Sequence, residues 1–298
     1  MLIRQIGEFA LIERIRKKIR TDSSVVEASG DDCAVVKFSR DKFQLLTCDM
    51  LIEGVDFTPR EKPYPVGRKA LAVSLSDIAA CGGIPRYALV SLGLPSKTPL
   101  ESVDELHRGM RDLARRYHVN LVGGDFSRAD KLTIDVAVVG EVEKKNLVLR
   151  RRAKEGDIIF VSGFLGGSIR GKHLRFTPRL SEARWLVGNF KVNSMIDVSD
   201  GLTQDLAHIL KASSVGALIY EGLIPLSRQA RNLDDALYGG EDFELLFTLS
   251  PLEAKRLIHS KEKIFTPIGE IVPRSRGLRL IAKDGREKII RPGGFRHF

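Results

Sequence analysis

The segment VGRKALAVSLSDIAACGG, residues 66–83, predicts a buried helix that carries a single carboxylate. Its apolar residues run almost without a break, and Gly82–Gly83 with Pro85 beyond them is the usual signal that ends a helix. Asp77 lies inside this run, with Ala, Leu and Ile on both sides. A carboxylate in such a place is costly unless it has a partner. The segment therefore predicts a helix packed on a core, with a polar partner for Asp77.

Strands and helices alternate on both sides of this helix. Before it, Ile12, Ile15 and Ile19 fall on one face of a helix that begins soon after Gly7. The predicted strands are CAVVKF, FQLLTCD, YALVSLGL, VNLVGGD, LTIDVAVVGEV, DIIFVSG, SMIDVSD, GALIYE and FELLFTL, and further helices are predicted at 101–117, 202–213 and from Pro251. The polar, basic stretch 143–157 interrupts this order, and the pattern then restarts. The sequence therefore predicts an α/β or α+β fold in two domains, residues 1–145 and 146–298.

The composition narrows the class of protein. Of the 298 residues, 43% are hydrophobic, and no apolar run reaches the roughly 18–20 residues that a membrane helix needs. Cys33, Cys48 and Cys81 form no C-x-x-C pair, so we expect a cytoplasmic protein with neither disulfides nor a zinc site. The formal net charge of +10 suits either a nucleic-acid surface or an anionic small substrate. Because no basic stretch is interleaved with aromatic residues, we expect no nucleic-acid partner, and no membrane partner either.

Acidic residues recur where predicted strands end or helices begin, several of them beside glycine pairs. They are Asp31–Asp32, Asp49, Asp77, Asp125, Asp197 with Asp200, and Glu241–Asp242. Each one alone, apart from Asp77, is better explained as a turn residue or a helix N-cap. Together, without His or Cys partners, they favour a hard divalent ion such as Mg²⁺, which usually bridges polyphosphate. Glycoside hydrolysis by a carboxylate pair is the weaker alternative, because its sugar cleft is normally aromatic-rich and the chain has one Trp.

A second glycine motif resembles a nucleotide-binding loop. GGSIRGK, from Gly166 to Lys172, follows a predicted strand and satisfies G-x-x-x-x-G-K. His173 stands at the next position, where a P-loop requires a Ser or Thr hydroxyl for Mg²⁺. We therefore interpret this segment as a glycine turn between elements. His107 and His208 are isolated on predicted helices, which is typical of surface or packing residues.

Seven acidic or glycine-rich segments, taken in chain order, resemble the thiamine-monophosphate kinases. They are GEFALI, SGDDCAVV, TCDMLIEGVDF, KALAVSLSDIAACGGIP, VGGDFSRAD, DVSDGLTQDLAHI and GGEDFELLFT. The resemblance extends from Gly7 to the final GGFRHF. It implies the two-domain fold of aminoimidazole ribonucleotide synthetase, with an N-terminal domain that forms a dimer β-barrel. It also implies phosphorylation of thiamine monophosphate to thiamine diphosphate by ATP, with several Mg²⁺ ions and a homodimer.

The resemblance also assigns roles to individual residues. The implied metal ligands are Asp32, Thr47, Asp49, Asp77, Asp125, Asp197 and Asp200. The implied nucleotide contacts are Gly124, Asp125, Arg150 and Ser199, although Arg151 and Arg152 leave the register of the arginine open. The implied substrate contacts are Asp56, Glu241 and Phe295. At Asp56 the sequence departs from bacterial relatives, which commonly have His, so a hydrogen-bond donor is replaced by an acceptor.

The implied chemistry requires no nucleophile on the protein. The acceptor is already a phosphate, largely ionised near neutral pH, so we expect direct in-line transfer without a phosphoenzyme and without a strong general base. Other ATP-using members of the same superfamily remain alternatives. The hydrogenase-maturation type carries its reactive Cys at the C-terminus, where this chain ends in RHF. The selenophosphate synthetase type needs a reactive residue near the N-terminus, where Cys33 lies inside a predicted strand.

Overall fold

The computed structural model describes residues 2–297 and contains two β-sheets with helices packed against them. The first sheet is built from β1 (Val25–Glu27), β2 (Ala34–Lys37), β3 (Lys42–Ile52), β4 (Ile84–Leu94), β5 (Asn120–Arg128) and β6 (Thr133–Glu143). The strand order is β1-β2-β3-β6-β4-β5, and only the β4–β5 pair is parallel. In β6 every second residue is buried, as its alternating sequence predicts.

The second sheet follows the first along the chain. Its strands are β7 (Ile158–Ser162), β8 (Val192–Asp197), β9 (Gly216–Tyr220), β10 (Leu245–Leu249), β11 (Phe265–Val272), β12 (Leu278–Ile281) and β13 (Glu287–Ile289). They are ordered β13-β12-β9-β11-β7-β10-β8, and β12 pairs with β9 in parallel. Every described strand up to Glu143 therefore belongs to one sheet and every strand from Ile158 to the other. The boundary at residues 145 and 146 stays a prediction.

The helices are α1 (Ile3–Ile6), α2 (Glu8–Arg16), α3 (Pro63–Ala80), α4 (Leu100–Arg116), α5 (Leu180–Asn189), α6 (Leu202–Ser213), α7 (Leu233–Tyr238) and α8 (Pro251–Ile258). The buried helix predicted for residues 66–83 is α3. It begins at Pro63 rather than at Val66, because proline is well tolerated in the first helical turn. Helix α2 ends at Arg16, so Ile19 lies outside the helix that was predicted to include it.

Helices α3 and α4 approach each other unusually closely. A Cβ atom on Gly67 would lie 1.9 Å from the carbonyl oxygen of Leu106, and one on Gly109 would lie 2.0 Å from that of Tyr64. Only glycine fits at both positions. This contact fixes α3 beneath the first sheet, where it packs against β3 and β6.

Helix α3 also faces the second sheet, and the hydrophobic core is continuous between the two. It contacts α5 and β8, which belong to the second half of the chain. A single cluster of buried side chains includes Leu45 and Leu71 from the first half with Phe160 and Phe247 from the second. The C-terminal end of α3, which carries Asp77, thus lies where the two sheets meet.

The outer face of the first sheet is exposed. Leu46, Met50, Tyr87 and Leu89 are large apolar residues of this face that remain accessible to solvent, and the edge strand β5 is exposed along almost its whole length. Among the described residues, no helix is both long enough and apolar enough to cross a bilayer.

Candidate active site

Three buried carboxylates converge at the junction of the two sheets. One oxygen each from Asp32, Asp77 and Asp197 lies within 4.8 Å of the others, and we call these residues the acid cluster. Asp32 precedes β2, Asp77 lies in α3, and Asp197 ends β8. Asp77 therefore lies among further acids, which come from both halves of the chain.

Hydroxyl groups hold these carboxylates in place. Thr47 Oγ1 donates to Asp77 at 2.5 Å, and Ser76 Oγ donates to Asp197 at 2.5 Å. Ser74 Oγ donates to Asp49 at 2.7 Å. Asp49 lies two residues after Thr47 in β3, so both side chains point to the same inner face of the sheet. A hydroxyl donor orients a carboxylate without supplying a positive charge.

The electrostatics of the acid cluster favour a cation. Burial, with repulsion from Asp32, raises the pKa of Asp197 to about 8. Burial raises the pKa of Asp77 well above its ordinary value, and Asp49 and Asp197 add to this effect. Burial also raises the pKa of Asp49 to about 6. Within residues 2–297, Asp32 Oδ2 is buried without a hydrogen-bond partner. An oxygen-only donor set with an unsatisfied buried oxygen fits Mg²⁺.

One arginine reaches the acid cluster. Arg150 donates from a guanidinium nitrogen to Asp32 Oδ1 at 2.5 Å, and its backbone N–H donates to Asp31 Oδ2 at 2.9 Å. Asp31, which the sequence explains as a turn residue, is thus tied to the segment that carries Arg150. Burial, together with repulsion from Asp32, raises the pKa of Asp31 to about 7. Arg151 instead pairs with Glu27 at 3.1 Å and is half-exposed.

Two cavities share Ser199 and Asp200 and are lined by neighbours of the acid cluster, Asp49 in one and Asp31 with Arg150 in the other. The smaller, of about 460 Å³, is lined among others by Asp49, Asp56, Ser199, Asp200, Tyr238, Glu241, Phe243 and Phe295. The larger, of about 930 Å³, is lined among others by Phe9, Arg16, Asp31, Arg150, Arg151, Ser199, Asp200, His208, Lys211 and Arg296. The site can therefore hold two molecules that meet at one point.

Asp200 belongs to a second group of acids, separate from the acid cluster. It lies with Asp205 and His208, each offering a ligand atom within 4.8 Å of the others. Asp205, a buried residue of α6, accepts hydrogen bonds from the backbone N–H groups of Asp200 and Gly201 and so fixes this turn. Burial raises the pKa of Asp200 to about 6, with a contribution from Glu8. His208 packs edge-on against Phe9, as expected of a packing residue.

The predicted substrate contacts line the smaller cavity. Phe295 donates its backbone N–H to the carbonyl of Asp200 at 3.0 Å, which places the C-terminal segment in the wall of the cavity. Asp56 also lines it, but its Oδ2 accepts from the backbone N–H of Ile52 at 2.7 Å. The carboxylate of Asp56 therefore closes its own turn.

Glu241, Asp242 and Glu244 have cationic partners, and we call them the paired acids. Glu241 forms an ion pair with Lys69 and lies 2.9 Å from His173 Nδ1. Although burial raises the pKa of Glu241, His173 and Lys69 outweigh that effect and lower it overall. Glu244 accepts from Arg179 at 2.7 Å and from Lys172 at 3.0 Å, and Lys172 lies 3.7 Å from Asp242.

The glycine motif at Gly166–Lys172 serves the paired acids. The backbone N–H of Gly166 donates to Asp242 Oδ2 at 2.7 Å, and Lys172 is held by Glu244. Short 3₁₀ turns at Ser168–Arg170 and Lys172–Leu174 follow. The amide and the lysine that would bind phosphate in a P-loop are thus occupied by carboxylates, in agreement with the interpretation as a glycine turn.

Gly124 and Asp125 lie apart from the other predicted site residues. Both belong to the edge strand β5. Across the sheet Asp125 lies next to Ser91 of β4, Ser91 lies next to Asp135 of β6, and Asp135 lies next to Met50 of β3. Paired residues share a face, so Asp125 lies on the outer face with Met50, opposite to Asp49. Asp125 is exposed and accepts from Ser127 at 3.0 Å. The roles predicted for Gly124 and Asp125 stay predictions.

The comparisons with known proteins place this architecture in a class. Residues 30–142 match the model of the AIR synthase related protein N-terminal domain, and residues 153–280 match that of its C-terminal domain. The chain therefore has the two-domain AIR synthase related fold. E. coli HypE, a hydrogenase maturation protein, shares this fold with a TM-score of 0.74 at 21% identity, over 96% of this chain and 97% of that one.

Full-length relatives then define the family within that class. The thiamine-monophosphate kinase of Bacillus subtilis is 36% identical, over 98% of this chain and 100% of the relative, and that of Aquifex aeolicus is 34% identical over 100% of both. The structure of AaThiL complexed with AMPPCP and TMP superposes with a TM-score of 0.88 at 33% identity, covering 100% of this chain and 99% of that one. The chain belongs to the thiamine-monophosphate kinase family.

Proposed function

We propose that this protein transfers the γ-phosphoryl group of ATP to thiamine monophosphate and so forms thiamine diphosphate. The observation that carries the proposal is the pair of cavities that meet at Ser199 and Asp200 beside the acid cluster. A transfer between two bound molecules requires such a meeting point, with the reacting groups held in line. The likeness to AaThiL, whose structure holds AMPPCP and TMP, supports it.

The two cavities suit the two substrates differently. The larger one has cationic side chains at Arg16, Arg150, Arg151, Lys211 and Arg296 beside six carboxylates, a mixture that suits a nucleoside triphosphate together with a divalent cation. The carboxylates are those of Glu8, Glu13, Glu27, Asp31, Asp200 and Asp205. The smaller one has aromatic side chains at Tyr238, Phe243 and Phe295 together with the Glu241 carboxylate. Thiamine carries an aminopyrimidine ring and a cationic thiazolium ring, which aromatic faces and a carboxylate bind well.

We propose that Mg²⁺ is bound by Asp32, Asp77 and Asp197, with Asp49, Thr47 and Asp200 close by. The ion would screen the repulsion between two phosphates and the charge that develops during transfer. The chain itself contributes orientation: Thr47, Ser74 and Ser76 fix the carboxylates, and Arg150 adds a positive charge beside Asp32. No side chain is needed as a nucleophile, because the acceptor phosphate is itself the attacking group.

We also propose that the chain forms a homodimer through the outer face of its first sheet, where the N-terminal domains build the predicted β-barrel. The exposed apolar residues of that face and the unpaired edge β5 are both typical of a surface that another chain covers. The nucleotide and metal contacts predicted for Gly124 and Asp125 stay predictions. A single-chain mass measured by light scattering would contradict the dimer. The cytoplasm remains the expected compartment.

The direct test is an assay with ATP, Mg²⁺ and thiamine monophosphate. We expect thiamine diphosphate and ADP in equal amounts, measured by chromatography over a range of temperatures. Unphosphorylated thiamine is the control acceptor and should give neither product, because the transfer is to a phosphate oxygen. Absence of thiamine diphosphate at every temperature at which the chain is folded would overturn the proposal.

A further inference from the structure

Lys69 is a buried cation close to the smaller cavity. Its side chain has no exposed surface, because it lies in α3 among the apolar residues that form the core. Nζ donates to the backbone carbonyl of Asp56 at 2.7 Å, forms the ion pair with Glu241 Oε1, and lies 3.3 Å from His173 Nδ1. A buried ammonium is expensive unless its hydrogen-bonding capacity is used, and these three partners use it.

Glu241, in contrast, reaches the cavity. It lines the cavity wall and its side chain is partly exposed, whereas Lys69 stands behind it and does not line the cavity. Its backbone is held as well, because it has a left-handed φ of 65° and its N–H donates to the carbonyl of Ser199 at 2.6 Å. The second carboxylate oxygen lies 2.9 Å from His173 Nδ1. Oε1 of Glu241 is therefore held from behind the cavity wall by Lys69, whereas among the described residues Oε2 has His173 as a neighbour and no hydrogen-bond partner.

We propose that Lys69 is a positioning residue for thiamine monophosphate, which holds the carboxylate of Glu241 in place to receive the thiamine moiety. The inference rests on the proposed function. A carboxylate at a cavity wall would otherwise sample several rotamers, and fixing one of them in advance lowers the entropy lost on binding. Because Lys69 comes from α3 and Glu241 from the second half of the chain, the pair also holds the two sides of the cavity together.

The test is Lys69→Met, which keeps the length of the side chain and removes the charge. We expect the KM for thiamine monophosphate to rise at least tenfold, while the KM for ATP changes less than twofold. Lys42→Met is the matched control, since Lys42 also forms an ion pair, with Glu141 at 2.8 Å, on a strand of the same half of the chain. It should change neither KM.

A double-mutant cycle separates positioning from a general structural role. If Lys69 acts through Glu241, then adding Lys69→Met to Glu241→Gln should change the KM for thiamine monophosphate less than twofold further. Should Lys69→Met fail to fold, Lys69→Gln keeps a donor for the carbonyl of Asp56 and should show the same split between the two KM values. An equal rise in both KM values, an unchanged KM for thiamine monophosphate, or independent effects in the cycle would overturn the inference. A wild-type chain that forms no thiamine diphosphate would overturn the proposed function itself.

Discussion

The acid cluster and the paired acids, two groups of largely buried carboxylates, differ in what faces them. In the acid cluster, Arg150 is the cation paired with Asp32, and hydroxyl donors supply the hydrogen bonds to Asp77 and Asp197. Among the paired acids, Lys69, Lys172 and Arg179 supply a cationic neighbour to every carboxylate. The first group is short of positive charge and the second is not. The number of cations around buried acids therefore separates a candidate metal site from ion pairs that shape a cavity.

The largest expected effect comes from neutralising a member of the acid cluster. Asp77→Asn should lower kcat by at least about 10³-fold, which corresponds to roughly 4 kcal/mol of barrier, because the donor set loses a charge at its centre. The asparagine can still accept the hydrogen bond from Thr47, and repulsion within the cluster falls. We therefore expect the metal-free variant to be at least as stable as wild type in thermal unfolding. Near-normal turnover would show that the cluster binds no catalytic metal.

The opposite outcome is expected for a paired acid. Glu244→Gln leaves Arg179 and Lys172 without their buried carboxylate and should lower the free energy of unfolding by about 3 kcal/mol. Below its unfolding temperature this variant should keep kcat within about fivefold, since Glu244 lines neither cavity and does not belong to the acid cluster. Urea unfolding at fixed pH measures the loss of stability. Glu105→Gln, which breaks the exposed pair with Arg108, is the control and should leave stability nearly unchanged.

The smallest effect is a dependence of stability on pH and Mg²⁺. The pKa of Asp197 is about 8 and that of Asp49 about 6, both above the value of about 4 in an unfolded chain. As pH rises from about 4 to 8 the unfolded state loses these protons first, so the metal-free protein should lose stability over that range. Mg²⁺ at about 100 times the Kd that it has at pH 8 should restore about 2.7 kcal/mol of stability at that pH. The same concentration should restore much less near pH 5, where the carboxylates are protonated and bind the ion weakly.

Thermal unfolding with and without Mg²⁺ at both pH values measures this dependence. Glu244→Gln should retain the response to Mg²⁺ and Asp77→Asn should lose most of it. An equal response at both pH values would contradict the assignment of the raised pKa values to the cation site.

The sequence predicted best those features that are set by local chemistry. Asp77 stood out because a carboxylate interrupted an apolar helix, and the alternation in β6 followed from its period of two. Lys69 was missed although it lies in the same helix, since a lysine next to Arg68 is typical of a solvated surface. Only the packing of α3 against Glu241 and His173 shows that it is buried. Ser74 and Ser76 were missed as well, because only the packing of α3 shows that their hydroxyl groups face Asp49 and Asp197.

Long-range features were the least predictable. That Asp31 would bind the backbone of Arg150 depends on a contact between residues 119 positions apart. A local contact was missed at Asp56. Its side chain accepts a hydrogen bond from the backbone N–H of Ile52, four residues away, and the residue type at position 56 does not indicate this bond. Gly124 and Asp125 lie on an exposed edge strand of the first sheet, and the roles predicted for them stay predictions.

The continuous core has a consequence for how the chain folds during synthesis. Helix α3 leaves the ribosome early, yet part of its apolar surface is covered by α5 and β8, and the cluster is complete only when Phe265 has been made. Until then the first half exposes a face that belongs inside the protein, and such a face is prone to bind other chains. The two sheets are separate in topology but depend on each other in folding, so the first half reaches its final stability only after most of the second half has been translated.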